Sequence, residues 1–316
     1  MFYRIKNKYR QLVSEWQLHR AKDKIHFAPE EALILTGDPR GGTTWLSSLL
    51  VQATKAAMIW EPLWLAKNPS FKNIGFSYRQ YISEQENWPE AEGLFRDLFS
   101  GKDLNSNLIS FTSVAEITSS SHLLFKFCRA NQLLPWLTAT FEFTNPPIYL
   151  LRHPCAVVAS QLKQGGWDRL PSTIQFKDQP DFEQEVGDPD YLNTINTVEK
   201  RLALIWCMAN RRTLESPHNN HRWLSICYED LLMNPHQQLS RIRDRWKVPL
   251  AKDVLDDVAK PSFTTVEDTS AIKGADQIGK WKETLSSKQI AEIMGVVQHF
   301  GIKVYSEDPV PAISYD

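Results

Sequence analysis

Five short apolar runs punctuate the chain, each closing in a polar or glycine-rich turn. They are ALIL (32–35), AAMIW (56–60), HLLFKF (122–127), and the apolar stretches of PIYLLRHP (147–154) and RWLSICYED (222–230). Apolar runs of about four to eight residues bounded by turn signals are short for buried helices and predict strands covered on both faces. Helical or polar segments separate them. Strands alternating with helices predict an α/β fold, a parallel sheet with helices on both faces in a single domain. Ligands in such sheets sit beyond the carboxyl ends of the strands. Gly37 to Trp45, Glu61, Lys126, Arg152 and Tyr228 all stand at or just past those ends, so they are expected to converge.

Three segments fall outside the alternation. Residues 67–107 are polar with brief apolar patches and predict helices joined by loops. Residues 165–192 carry seven acids (Asp168, Asp178, Asp181, Glu183, Glu185, Asp188, Asp190) among Gly and Pro. That composition predicts a long loop or lid, with acceptor recognition as its candidate role. At the start, Ile5, Tyr9, Leu12, Val13 and Trp16 recur at helical spacing with cations between them. An amphipathic helix is expected there, packed on the rest of the domain, with an anionic surface as the alternative partner.

Composition narrows the function classes. With 316 residues, 42% of them apolar, the chain can bury a substantial core. A formal net charge of -1, without a long block of like charge, gives no footprint for nucleic acid. Nothing approaches the ~18 apolar residues of a membrane span, and the basic start has no apolar region of the kind a secretory signal needs. Cys128, Cys155, Cys207 and Cys227 are scattered without C-x-x-C or zinc spacing, which predicts reduced, buried thiols and a cytoplasmic setting.

The chemistry starts at the first turn. From Gly37 the spacing is G-x-x-x-x-G followed by Thr43 and Thr44, where an ATP-binding loop has Lys and then Ser or Thr. The cation has moved to Arg40, inside the loop. Backbone N–H groups of such a turn, at the positive end of a helix, still make an anion site. A magnesium-nucleotide enzyme also needs an acid at the end of a second strand, and here that strand ends in Arg152. A cation at that place implies a second anionic group. Ser160, two turns along a helix starting near Pro154, can join Arg152 on one phosphate.

PRGGTTW together with LLRHPCAVVASQL resembles the two cofactor signatures of the sulfotransferases that use 3′-phosphoadenosine-5′-phosphosulfate (PAPS). The resemblance implies that Arg40, Gly41, Gly42, Thr43 and Thr44 bind the 5′ side, Arg152 and Ser160 the 3′-phosphate, and that Trp45 stacks on adenine. YED at Tyr228 to Asp230 resembles the family's adenine-contacting segment, and Phe263 in PSF would close the other face of the base. IKGADQIGKWK is similar to the late R-K-G…G-x-W-K element, which implies Lys273 and Gly274 at the 3′-phosphate. Ile272 replaces the arginine there, and the spacing to Trp281 is longer. A P-loop-type domain over residues 31–305 is implied, with a basic helix or arm (1–30) before it and a tail (306–316) after it.

The histidine base of the phenol and steroid enzymes, in their K-T-H, is replaced by Lys126, Phe127 and Cys128. WEPLW (60–64) instead resembles the E-P-L-W of the Golgi carbohydrate sulfotransferases, and KFCR resembles their K-x-x-R. That likeness implies Glu61 as general base, a hydroxyl acceptor that is a carbohydrate or another small molecule, and no metal. Arg40, Lys126 and the loop N–H groups would stabilise the charge that develops on transfer. His122 and His153 are the rival bases, His122 preceding its strand and His153 read as structural beside Pro154. Of the 11 tryptophans, Trp60, Trp64, Trp88, Trp136 and Trp167 are read mainly as core, with one or two as acceptor platforms. An inactive nucleotide-binding homologue would keep both signatures and lose the base; an atypical P-loop kinase would need a magnesium acid.

Overall fold

The computed structural model describes residues 2–165, 182, 186–248 and 277–315. Each apolar run forms a strand: β1 (Leu33–Gly37), β2 (Ala57–Trp60), β3 (Leu123–Phe127), β4 (Ile148–Leu151) and β5 (Leu224–Cys227). All pairings are parallel, in the order β2-β3-β1-β4-β5. The α/β expectation therefore holds, and the register follows the side-chain alternation. Leu33 and Leu35 of β1, Leu124 of β3, Ile148 and Leu150 of β4, and Leu224 and Ile226 of β5 enter one core. Its other wall is the helix Thr43–Thr54, with Leu46, Leu49 and Leu50, and the helix Pro235–Arg245, with Leu239 and Ile242. The opposite face is covered in two halves. Ile34, Phe125 and Phe127 pack with Phe95, Phe99 and Trp136, while Tyr149, Leu151 and Cys227 pack against the helices Pro154–Gln164, Val198–Glu215 and Ser287–His299.

Strand order places the site. β1 runs on toward β2 on one side, whereas β4 runs on toward β5 on the other, so connections leave the adjacent ends of β1 and β4 in opposite directions. Such a switch point opens a crevice beyond the carboxyl ends of the two strands. The polar 67–107 region forms the expected helices, Pro69–Asn73 and Pro89–Phe99, each with proline in its first turn, where a missing N–H costs nothing.

The first helix, Phe2–Ala21, differs from expectation in the face it docks. Leu18 is buried, Glu15 accepts from the Ser106 N–H (2.8 Å) and Gln11 donates to Asn107 (3.1 Å). Tyr9, Leu12 and Trp16 of the predicted stripe remain exposed. Leu18, which joins the apolar core beneath the helix, and two polar contacts to the 106–107 turn hold this helix in place, while Tyr9, Leu12 and Trp16 take no part.

Candidate active site

The turn after β1 is built for close approach. Gly42 has φ +94°, and a Cβ there would lie 2.5 Å from the Tyr228 ring. A side chain is excluded twice, by conformation and by space. Gly42 N-caps the helix Thr43–Thr54 with no side-chain cap, so the first amides of that helix are left for another acceptor. Arg40 also sits in the left-handed region, at φ 70°. Beneath the loop, Asp38 is buried, paired with Arg79 (3.0 Å) and accepting from Asn210 Nδ2 (2.5 Å). The Asn210 amide oxygen accepts from Tyr149 and Asn131, and Asn131 accepts from Thr36. This buried network braces the loop from below, and spacing had pointed to none of it. Its only local signal is an aspartate among the small residues of the turn.

Arg40, Arg152 and Ser160 meet at the crevice. Arg40 Nε donates to Ser160 Oγ at 3.0 Å, and Arg152 Nη1 donates to the Arg40 carbonyl at 2.9 Å. The Arg152 guanidinium lies 4.4 Å from the Tyr228 ring centroid, and its buried Nε has no hydrogen-bond partner among the described residues. Burial and the neighbouring Arg152 cation lower the pKa of Arg40. Two guanidinium groups this close, one with an orphaned buried donor, fit an anionic ligand that would relieve both costs. Trp45 stands edge-on to Tyr228, with centroids 5.6 Å apart.

Glu61 follows β2 directly, at φ 47°, and is 6% exposed. Lys126 pairs with one carboxylate oxygen; the other accepts from Arg129 (3.2 Å) and from the Cys128 N–H (3.0 Å). Burial pushes its carboxyl pKa up, but Lys126, Arg129 and the hydrogen bonds outweigh that and hold it below the usual value. Lys126 is likewise disfavoured as a cation by burial, yet Cys128 and Glu61 raise its pKa overall. Because burial pushes the Cys128 thiol itself to about 11, ionised Glu61 is the partner that keeps the lysine charged. Lys126 also donates to Cys128 Sγ at 3.2 Å and lies 4.0 Å from the Trp60 ring centroid. Cys128 Sγ in turn contacts Thr43 Oγ1 at 3.5 Å, which ties this cluster to the phosphate loop. Two cations therefore meet on Glu61, Lys126 and Arg129, the lysine and the arginine of KFCR.

The rival histidines are placed elsewhere. His122 precedes β3, at the end of the sheet opposite Glu61. His153 Nδ1 accepts from the Cys155 N–H, its Nε2 therefore donates to the Ser306 carbonyl, and burial lowers its pKa to about 4. Both ring nitrogens are occupied in a neutral, structural histidine. Trp136 is core, as expected, whereas Trp64 is exposed and its ring lies 5.8 Å from the Arg129 guanidinium carbon. Phe263, Ile272, Lys273, Gly274, Trp167 and the acids Asp168, Asp178, Asp181, Glu183 and Glu185 lie outside the described residues.

Residues 32–252 match the family model described as "Sulfotransferase family". The chain belongs to that family. Several solved structures are similar in fold. The sulfotransferase domain from the Synechococcus PCC 7002 olefin synthase is 17% identical, with 89% of this chain and 97% of that one covered at a TM-score of 0.48. The sulfotransferase domain from the curacin biosynthetic pathway is also 17% identical, with 85% and 97% covered at 0.44. Mouse sulfotransferase SULT7A1, complexed with PAP, is 12% identical, with 92% and 90% covered at 0.44. No curated protein matches the chain.

Proposed function

We propose that this sulfotransferase takes its sulfonyl group from PAPS and passes it to a hydroxyl, that of a carbohydrate in the first instance. The observation that carries the donor is the pair Arg40 and Arg152, Arg152 donating to the Arg40 carbonyl and Arg40 to Ser160, with the buried Arg152 Nε lacking a hydrogen-bond partner among the described residues. Arg152 and Ser160 would hold a 3′-phosphate; Arg40, Gly41, Gly42, Thr43 and Thr44 would hold the 5′ side; Trp45 and Tyr228 would meet the base. Lys273, Gly274 and Phe263 complete the proposed cofactor set. When bound, the donor supplies an activated sulfonyl group, and no metal takes part.

The chain's own residues have three tasks. The amides at the start of the helix Thr43–Thr54, with Arg40, neutralise charge on the leaving side. Lys126, kept protonated beside Glu61, adds a cation near the reacting centre. Glu61 takes the proton of the acceptor hydroxyl, a nucleophile too weak to react until that proton moves to a positioned base. It is ionised at neutral pH, as a base must be; Lys126 and Arg129 lower its pKa and so weaken it as a base, a cost that the acceptor hydroxyl would relieve by displacing one of these cationic donors. The exposed Trp64 ring beside Arg129 is the platform that supports a sugar acceptor. Four buried free thiols are in keeping with a reducing, cytoplasmic setting.

Incubation with labelled PAPS and a panel of hydroxyl acceptors, sugars first, tests the proposal. Label transfer to a sugar hydroxyl is expected. Transfer only to phenols or amines would overturn the acceptor, and absence of transfer to any acceptor would favour a binding protein. The three donors already on Glu61 are what speak for that second possibility.

A further inference from the structure

The helix Phe2–Ala21 carries an outward face that the site does not use. Tyr9, Leu12 and Trp16 are 68%, 62% and 57% exposed, and at about 100° per residue they share one arc of the helix. Lys8, His19 and Arg20 are exposed along its borders, and the Arg20 guanidinium carbon lies 4.8 Å from the Trp16 ring centroid. The inner side is committed to the domain through Leu18, Glu15 and Gln11, so this arc cannot turn inward without breaking those contacts. Charge is as uneven as polarity. Residues 1–24 hold seven Lys and Arg against Glu15 and Asp23, a formal +5, while the whole chain is -1; the remainder is therefore -6.

We infer that this face docks on an anionic lipid surface. Aromatic and aliphatic side chains flanked by cations match the boundary between headgroups and acyl chains, where Trp and Tyr rings are favoured and basic residues meet acidic headgroups. Charge selects this occupant over a second copy of the chain, which would set one +5 segment against another. No helix among the described residues is long and apolar enough to cross a membrane, so the contact is peripheral. The anchoring turn also connects to the site. Asn107 donates to the Lys67 carbonyl (3.1 Å), the Lys67 ammonium lies 5.8 Å from the Trp64 ring centroid, and the Leu108 carbonyl accepts from the Trp60 N–H. The helix thus sits beside the sheet edge, β2, that leads into Glu61.

Flotation of the full chain with vesicles tests this directly. The chain is expected to float with phosphatidylcholine vesicles containing phosphatidylserine, to ignore pure phosphatidylcholine, and to be released by salt. Tyr9→Ser, Leu12→Ser and Trp16→Ser combined should weaken binding at least about tenfold with an unchanged melting temperature. Lys8→Glu with Arg20→Glu should do the same and carries the test alone if the first variant misfolds. Absence of binding to the acidic vesicles, equal binding to both vesicle types, or wild-type binding by the variants would overturn the inference. A dimer in solution that the apolar triple variant lacks, without lipid binding, would assign the face to a second copy instead.

Discussion

The Glu61 carboxylate accepts from a lysine, an arginine and a backbone amide while almost wholly buried, so two demands fall on one side chain. It holds Lys126 and Arg129 in place, and in the proposed reaction it removes a proton. Glu61→Gln keeps the size and much of the hydrogen bonding but removes the charge. Cofactor affinity should survive while turnover falls by roughly 10²–10⁴-fold, the usual worth of a positioned base; transfer retained within a few-fold would remove Glu61 from that role. Stability gives an independent readout. Because the folded carboxyl titrates below 4.5, its stabilising contribution is complete above that pH and disappears as pH falls through the lowered value. The gap in melting temperature between wild type and Glu61→Gln should be widest at neutral pH and close in acid. Glu61 and Lys126 could be singled out in the sequence because one directly follows an apolar run and the other stands near the end of one. The three-donor arrangement could not be read from spacing, since Glu61 and Arg129 lie 68 positions apart.

At the scale of elements, the phosphate loop and the helix after it were legible because their chemistry is local: glycines where no side chain fits, then a helix start. Gly42 makes this testable. Alanine there meets both a positive φ and the Tyr228 ring, so Gly42→Ala should cost about 1–3 kcal/mol in chemical denaturation. It should also weaken nucleotide binding about tenfold or more, since the loop amides and the Tyr228 ring must shift together. A variant as stable and as tight-binding as wild type would show that the loop is less constrained than its geometry states. What supports the loop was not legible. Asp38 and Asn210 stand 172 positions apart, and an asparagine on the buried face of an amphipathic helix gives no indication of which turn it will meet. The first helix was legible as a helix only; the face that docks is set by Leu18, a single apolar residue outside the predicted stripe, together with Ser106 and Asn107, polar partners that periodicity does not register.

Over the whole molecule, five strands were readable in the chain but their order was not, because parallel pairing is decided by crossovers rather than by any feature of a strand. The order β2-β3-β1-β4-β5 sets the ends of β1 and β4 side by side, and so brings Arg40 against Arg152 from positions 112 apart. Everything proposed for the donor rests on that meeting. Calorimetric titration of the chain with adenosine 3′,5′-bisphosphate and with AMP, both without magnesium, tests it most directly. A 3′-phosphate held by charge-assisted contacts is worth about 1.5–3 kcal/mol, so the bisphosphate should bind about ten- to a hundredfold more tightly than AMP. Equal affinity for the two nucleotides, or binding that requires magnesium, would contradict it.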